Sequence, residues 1–247
     1  MKVALDVSHL NHEKLSGIGV YTLELWRSLQ NLENMQVNAV YRPSRWKHRR
    51  FFKMHVGDGA KPWIAGGFGL HPEILHGPDF RVSKTKRAAR VASIMDLAFL
   101  HPGMTSPEFA KKKTRDLCEI LDDQTPDALI AISEATRRDL VAFRPKLEDR
   151  IHTVLLAGNH FAAKENTGSV HPRPYFLYVG NLEARKNVLG IIHAFERFCR
   201  NSSDTDLILI GKPGFEGERI LEAVRSSPQQ KRIHVLGYCN LSELQTF

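Results

Sequence analysis

The sequence predicts an α/β fold with two domains, each built on a mainly parallel sheet. Short apolar runs that suit buried strands alternate with segments of helical periodicity along most of the 247 residues, and this alternation is typical of parallel sheets with helical crossovers. Residues 157–174 lack periodicity and carry glycines and prolines near their end, which indicates a linker. We therefore place a first domain at residues 1–165 and the beginning of a second at residues 172–247.

The first series contains six predicted strands and three predicted helices. Ser133 is a suitable N-cap for the third helix, because its hydroxyl can accept a hydrogen bond from an unpaired N–H group of the first turn. The strands are expected near residues 3–7, 37–41, 73–76, 91–95, 127–132 and 151–156, and the helices near residues 18–29, 107–121 and 133–143.

The second series contains three predicted strands and two complete helices. Three parallel strands would leave one edge and much apolar surface uncovered. We therefore expect the second domain to be incomplete, as in a fragment, a truncated product or a chain that needs a partner. The strands are expected at residues 175–179, 206–210 and 233–236, and the helices at residues 188–199 and 215–225.

Composition indicates a soluble globular protein, with 42% hydrophobic and 25% charged residues. No apolar run approaches the roughly 20 residues needed to span a bilayer, and Asp6 interrupts the N-terminus too early for a secretory signal. Cys118, Cys199 and Cys239 are widely spaced and form no Cys-x-x-Cys pair. Reduced thiols and a cytoplasmic location are therefore expected.

The net charge of +8 is concentrated in two segments, residues 42–53 and 81–90. In the first, cations are interleaved with Trp46, Phe51 and Phe52. This composition suits an anionic membrane surface, where each Lys or Arg contributes roughly 1 kcal/mol, and the same composition would suit nucleic acid. A basic surface loop without a dedicated partner is an equal alternative. We expect no nucleic-acid partner, and we extend the cytoplasmic location to peripheral attachment on the inner face of the membrane.

The loop after residues 175–179 has the composition of an anion site. The apolar run stops at Gly180, the loop carries Arg185 and Lys186, and an amphipathic segment begins at Val188. A helix N-terminus that follows a strand and a tight turn favours anions, because unpaired N–H groups and the helix dipole point at the ligand. The alternative is a solvated cationic loop beside an ordinary strand.

The sequence of this loop, Gly-Asn-Leu-Glu-Ala-Arg-Lys-Asn at residues 180–187, resembles the start of the donor-binding domain in family 4 (group 1) glycosyltransferases. The resemblance implies a GT-B fold with two Rossmann-like domains, of which the second is incomplete here. It also implies that Lys186, helped by Arg185, grips the diphosphate of a nucleotide-sugar. Many members have arginine after the first glycine, whereas this chain has Asn181.

Two glycines, Gly17 and Gly19, open the first long helix. Glycine lets a backbone approach a ligand closely, and the helix end suits phosphate. Thr22 stands where a dinucleotide fingerprint would have its third glycine, which disfavours a nicotinamide-dependent enzyme. The segment does resemble the glycine loop of the glycosyltransferase family, which implies contact with the donor diphosphate. Helix capping alone is the alternative.

The segment that follows the predicted strand at residues 91–95 resembles the His-Asp-Leu…Pro signature of the family's acceptor domain. Met95 replaces the histidine and Asp96 remains, so the resemblance implies Asp96 as the catalytic residue. His76 and Asp79 also lie just past a predicted strand, where a carboxylate and an imidazole could orient sugar hydroxyls or relay a proton. For His101, packing or a surface location is favoured over catalysis.

Glycine and tyrosine positions after the later strands complete the predicted donor site. In the family such turns frame the phosphate and the base, which implies donor nucleotide contacts for Gly180, Gly211 and Tyr238. The family's paired glutamates would fall beyond Phe247. No cofactor is expected because the nucleotide-sugar is a substrate, and no metal site is expected because no ligand spacing suggests one and the GT-B architecture does not depend on a catalytic metal.

These residues lead to one expected function and one alternative. The resemblance implies a glycosyltransferase that moves a sugar from a nucleotide-sugar donor to a glycan or lipid-linked acceptor, such as an envelope polysaccharide precursor, with retention of configuration. The alternative is a non-catalytic relative that binds an anionic membrane surface or a partner subunit. The short second series, Met95 and the basic segment at residues 42–53 motivate that alternative.

Overall fold

A computed structural model describes residues 1–64, 70–123, 125–158, 171–201 and 204–247. The chain divides into two compact units. The first contains Met1–Leu97 and the chain that runs from Lys113 towards the predicted linker, and the second contains Ala98–Lys112 and the C-terminal part as far as Phe247. Most of the predicted linker and the boundary at residue 165 lie outside the described residues, so the domain boundaries stay a prediction.

The first unit contains a seven-stranded, wholly parallel sheet in the order β3-β2-β1-β4-β5-β6-β7. All six predicted strands are present. The strands are β1 (Lys2–Asp6), β2 (Gln36–Tyr41), β3 (Lys61–Pro62), β4 (Ile74–Gly77), β5 (Ala89–Ile94), β6 (Ala128–Ala131) and β7 (Ile151–Thr153). The helices in this part of the chain are α1 (Gly17–Gln30), α2 (Arg49–Val56), α3 (Pro107–Cys118), which is divided between the two units, and α4 (Glu134–Phe143).

Two elements were missed by the sequence prediction. The two-residue edge strand β3 is too short to produce a periodic pattern. The basic segment at residues 42–53, expected as a loop, forms a 3₁₀ turn at Pro43–His48 followed by α2. The packing of Phe52 accounts for the formation of this helix, because the Phe52 side chain is fully buried and its ring lies 4.7 Å from the ring of Tyr41.

The order of the strands creates a switch point in the first sheet. β1 lies between β2 and β4, so the chain extends the sheet on one side of β1 and then continues on the other. In open parallel sheets, ligands bind outside the carboxyl ends of the strands at such a point. The fold therefore predicts a ligand site among the loops after β1, β4 and β5.

The second unit contains the three-stranded parallel sheet β10-β9-β8. One face packs on two helices through a buried cluster that includes Leu207, Leu209 and Ile233. In the outer strands Leu177 and Leu236 are 40% and 45% exposed, whereas every residue of the central strand is buried. The elements follow the predicted series: β8 (Tyr175–Val179), α5 (Val188–Phe198), β9 (Asp206–Ile210), α6 (Gly217–Ser226), β10 (Ile233–Gly237) and the short α7 (Leu241–Leu244).

The two parallel-sheet units confirm the predicted α/β fold class. Within the described ranges, no helix combines the length and the apolar character that crossing a bilayer requires.

Candidate functional site

The loops after β8 and β9 touch each other through two glycines. Gly180 and Gly211 both have φ of +153°, and a Cβ atom on Gly211 would lie 1.8 Å from the carbonyl oxygen of Gly180. Only glycine fits such a contact, because any side chain would overlap the neighbouring backbone. Both residues were predicted as nucleotide contacts. Their geometry gives them a structural reason to be glycine, and their contact with nucleotide stays a prediction.

Backbone hydrogen bonds fasten the loop after β8 to the loop after β9. The N–H of Leu182 donates to the carbonyl of Lys212 at 2.9 Å, and the N–H of Gly214 donates to the carbonyl of Leu182 at 2.9 Å. The N–H of Ala184 donates to the carbonyl of Phe215 at 3.0 Å. The cationic loop at residues 180–187 is therefore fixed to the loop after β9 by its backbone.

The cationic loop leads directly into the start of α5. A 3₁₀ turn at Ala184–Lys186 is followed by Asn187 in the left-handed conformation, with φ of 51°, and α5 begins at the next residue. The side chain of Asn187 does not cap the helix. The N–H groups in the first turn of a helix have no hydrogen-bond partner inside the helix. This end of α5 therefore has the geometry expected of the predicted anion site.

Arg185 and Lys186 differ in their surroundings although they are adjacent. The guanidinium Nε of Arg185 lies 2.7 Å from Oε1 of Glu183, whose side chain is only 13% exposed. Lys186 is exposed, and within the described part of the chain it forms no ion pair. Lys186 therefore offers an uncompensated charge to an anion, whereas Arg185 neutralises a carboxylate inside the loop.

A further cation, Lys212, joins this edge of the sheet and was not singled out from the sequence. It follows Gly211 directly, and its ammonium nitrogen lies 5.3 Å from the centroid of the Tyr238 ring, within cation–π distance. Tyr238 follows β10 and is 39% exposed. The same signal that identified Lys186, a cation soon after a strand-ending glycine, could have identified Lys212.

A second group of polar side chains occupies the switch point of the first sheet. The imidazole Nε2 of His76 lies 2.9 Å from the Ser93 hydroxyl, which also lies 2.9 Å from the hydroxyl of Tyr21. Burial lowers the pKa of His76 to about 4. His76 is therefore a neutral hydrogen-bonding group at pH 7, consistent with a positioning role and not with that of a charged acid.

The pKa of His76 leads to a prediction for acid stability. Its folded pKa of about 4 lies below the ordinary histidine pKa of 6.5. Between these two pH values the unfolded chain binds a proton that the folded chain does not, so stability falls as the pH drops through that window. Replacing His76 with Gln, which keeps a hydrogen bond to Ser93, should remove up to about 3 kcal/mol of this acid sensitivity.

Thermal unfolding from pH 7 to pH 4 measures that effect. The melting temperature of His76→Gln should fall less steeply with acid than that of the wild type. Parallel slopes for wild type and His76→Gln would contradict the neutral, buried imidazole.

Two carboxylates lie near the same strand ends. The Nε of Arg42 lies 3.4 Å from Oδ2 of Asp6, and burial raises the pKa of Asp6 in spite of this cation. His9 Nε2 lies 3.0 Å from Oδ2 of Asp79. Burial alone would raise the pKa of Asp79, but the interactions with His9 and the backbone N–H of Arg81 outweigh it and lower that pKa.

The two predicted phosphate glycines of the first unit have different environments. Gly19 is buried, and a Cβ atom there would lie 3.1 Å from Cβ of Leu15 and 3.2 Å from the carbonyl oxygen of His9. Gly17 is exposed at the start of α1, with open space around its Cα. Packing accounts for Gly19, and Gly17 has the accessibility that a ligand needs. The donor diphosphate contact predicted for both stays a prediction.

Asp96 is exposed and lies two residues after β5. The preceding residue is fixed by α4, because the Thr136 hydroxyl donates to the carbonyl of Met95 at 3.2 Å. The N–H of Thr136 in turn donates to the Ser133 hydroxyl at 3.1 Å, which confirms Ser133 as the N-cap. The loop that carries Asp96 is thus anchored, and its catalytic role stays a prediction.

Comparison with known proteins relates this chain to glycosyl transferases. Residues 160–247 match the family model of the group 1 glycosyl transferases. The O-antigen chain mannosyltransferase B of Escherichia coli is 25% identical over 263 residues, which cover 91% of this chain and 68% of that protein.

Two solved structures share the fold. The apo form of the lipopolysaccharide outer core galactosyltransferase WaaB has a TM-score of 0.61 and 15% identity, with 98% of this chain and 69% of that chain covered. Anabaena HepE, solved with UDP and glucose, has a TM-score of 0.59 and 12% identity, with 100% and 71% covered. Together the comparisons confirm the resemblance to group 1 glycosyltransferases and the GT-B fold class.

Proposed function

From its kinship with the group 1 glycosyl transferases, we propose that this chain takes part in transferring a sugar from a nucleotide-sugar to a glycan acceptor. The observation that carries the proposal is the loop after β8, which presents Arg185 and Lys186 at the start of α5. The departing group in such a transfer is a nucleoside diphosphate. Cations and helix N–H groups directed at it would stabilise the charge that develops as the glycosidic bond breaks.

The proposed donor is a nucleotide-sugar, and the loops of the second unit carry side chains that can bind it. The solved complex of Anabaena HepE with UDP and glucose supports a nucleoside diphosphate as the ligand type. Tyr238 offers an exposed ring for stacking on a base, and Lys212 beside it adds a third positive charge. Retention of configuration is proposed from the family resemblance, and Asp96 is proposed as the catalytic carboxylate.

A titration with UDP, GDP and ADP tests this donor site. Lys186→Ala should weaken the best ligand about 10- to 100-fold, because a charge-assisted hydrogen bond to phosphate contributes roughly 1.5–3 kcal/mol. Lys231→Ala is the matched control, since Lys231 is an exposed lysine of the same unit at the opposite, amino end of β10. Equal affinity of all three proteins for every diphosphate would overturn the assignment.

The acceptor end of the proposal is a lipid-linked envelope glycan on the cytoplasmic face of the membrane. Similarity to an O-antigen mannosyltransferase and to a lipopolysaccharide galactosyltransferase supports this class of acceptor. The basic segment supports attachment to an anionic surface. Trp46 is 51% exposed and lies 5.2 Å beneath the guanidinium of Arg49, and Arg50 covers the Phe51 ring at 4.5 Å.

Vesicle binding tests the membrane contact. Arg49→Glu combined with Arg50→Glu should weaken binding to vesicles that contain anionic lipid at least about 10-fold, because each cation near such a surface contributes roughly 1 kcal/mol. High salt should reduce wild-type binding in the same way. The control is Arg219→Glu, an exposed residue of α6. Retained binding by the double variant would remove the membrane from the proposal.

A further inference from the structure

Three side chains converge at the amino end of the second sheet, opposite the edge that carries the cationic loop. Asp206 begins β9, His234 is the second residue of β10, and His171 precedes β8. The Nε2 atoms of His171 and His234 lie 2.7 and 3.0 Å from the same oxygen, Oδ2 of Asp206. One ligand-type atom from each residue lies within 4.8 Å of the others.

We propose that His171, Asp206 and His234 bind a divalent transition-metal ion of the zinc class. Two imidazoles and one carboxylate are a common protein ligand set for Zn²⁺, and a water molecule can complete a tetrahedral site. Bonds of about 2.1 Å at tetrahedral angles separate neighbouring ligand atoms by about 3.4 Å. Shifts of less than about 1 Å would therefore bring these side chains into coordinating positions.

The two carboxylate oxygens of Asp206 have different neighbours. Oδ1 lies 3.5 Å from Nη1 of Arg173 and 3.8 Å from Nε of Arg232, and it is buried without a hydrogen bond. The guanidinium groups hold that side of the carboxylate and leave Oδ2 directed at the imidazoles. Their positive charge also lowers the affinity for a cation, so binding should be weaker than in a four-ligand structural zinc site.

The position of the ligands predicts what the ion would do. Asp206 is 4% exposed and lies in the central strand, while the histidines come from segments 35 and 28 residues away along the chain. A bound ion would join three segments at the amino end of the sheet, so it should stabilise the second unit and leave nucleotide binding at the opposite edge unchanged. The wide spacing also explains why no sequence motif reveals the site.

Titration of the metal-free full chain with Zn²⁺ and with Co²⁺ tests the proposal. We expect saturable binding, a visible absorption band from tetrahedral Co²⁺, and a rise in melting temperature. His171→Ala and His234→Ala should each lower the affinity more than about 100-fold, beyond the 10- to 100-fold that loss of an indirect partner produces. His193→Ala, on the exposed side of α5, should bind as the wild type does.

Two results would overturn the site. One is the absence of saturable binding in a wild-type protein with a cooperative melting transition. The other is equal affinity in the wild type, His171→Ala and His234→Ala, which would place the ion elsewhere. UDP titration of the same samples keeps the question separate from the donor site, since neither histidine variant should change UDP affinity.

Discussion

Substitution of Gly211 with Ala is expected to destabilise the second unit by roughly 2–5 kcal/mol. Two costs add at this position. A left-handed φ costs an L-residue about 1–2 kcal/mol, and overpacking against fixed neighbours costs about 1–3 kcal/mol. The neighbour is backbone, because the new Cβ would lie 1.8 Å from the Gly180 carbonyl oxygen and 2.6 Å from its carbon. Relief requires the loops after β8 and β9 to separate.

The chain provides a control glycine that has a positive φ but lacks the steric contact. Gly237 has φ of +70° at the end of β10 in the same sheet, and a Cβ atom there would meet nothing within 4 Å. Gly237→Ala should therefore cost only about 1 kcal/mol. All three tryptophans of the chain precede residue 64, so tryptophan fluorescence would not report on the second unit. The stability of both variants is therefore measured by hydrogen exchange of the amides in β8, β9 and β10. Equal costs for the two substitutions would contradict the contact between the loops.

The same substitution should also abolish nucleotide binding that depends on the cationic loop. The hydrogen bonds from Leu182 to Lys212 and from Gly214 to Leu182 fix the position of that loop. Separation of the two loops would break them and displace Lys186. Gly237→Ala, which leaves these bonds in place, should change UDP affinity much less.

The donor loop shows what sequence can predict here. A buried strand, a glycine, two cations and an amphipathic helix are all local patterns, and β8 and α5 were placed to within one residue of their observed ends. The contact between Gly180 and Gly211 could not be predicted in this way. It depends on β8 and β9 being neighbours in the sheet and in register, which is a property of the folded topology.

The contacts among the polar side chains at the switch point of the first sheet could not be predicted from the sequence for the same reason. Tyr21 and His76 meet at Ser93 across 72 and 17 residues of sequence, and none of the three belongs to a motif that specifies the others. Helix α2 was missed for a different reason. Its cations dominate the composition, while its helical state depends on one buried side chain, Phe52, packing on Tyr41.

Removal of Arg185 alone should weaken a nucleoside diphosphate by about 2 kcal/mol or more, roughly 30-fold. The loss has two parts, because Arg185 both attracts the diphosphate and neutralises Glu183, 2.7 Å away. Without the guanidinium, the largely buried carboxylate of Glu183 would repel the ligand from inside the loop. Arg185→Ala is therefore expected to cost about as much as Lys186→Ala, although Lys186 carries the unpaired charge.

Glu183→Gln provides the test of that mechanism. Added to Arg185→Ala, it should restore about 10-fold of the lost affinity, since it removes the repulsion without returning an attractive charge. Added to Lys186→Ala, it should restore much less, because Arg185 still neutralises the carboxylate there. With the Glu183→Gln single variant added, these five variants and the wild type form two double-mutant cycles, measured by UDP titration at low salt. Equal rescue in both cycles would mean that Glu183 acts on the diphosphate directly and that its ion pair with Arg185 has no part in shaping the site.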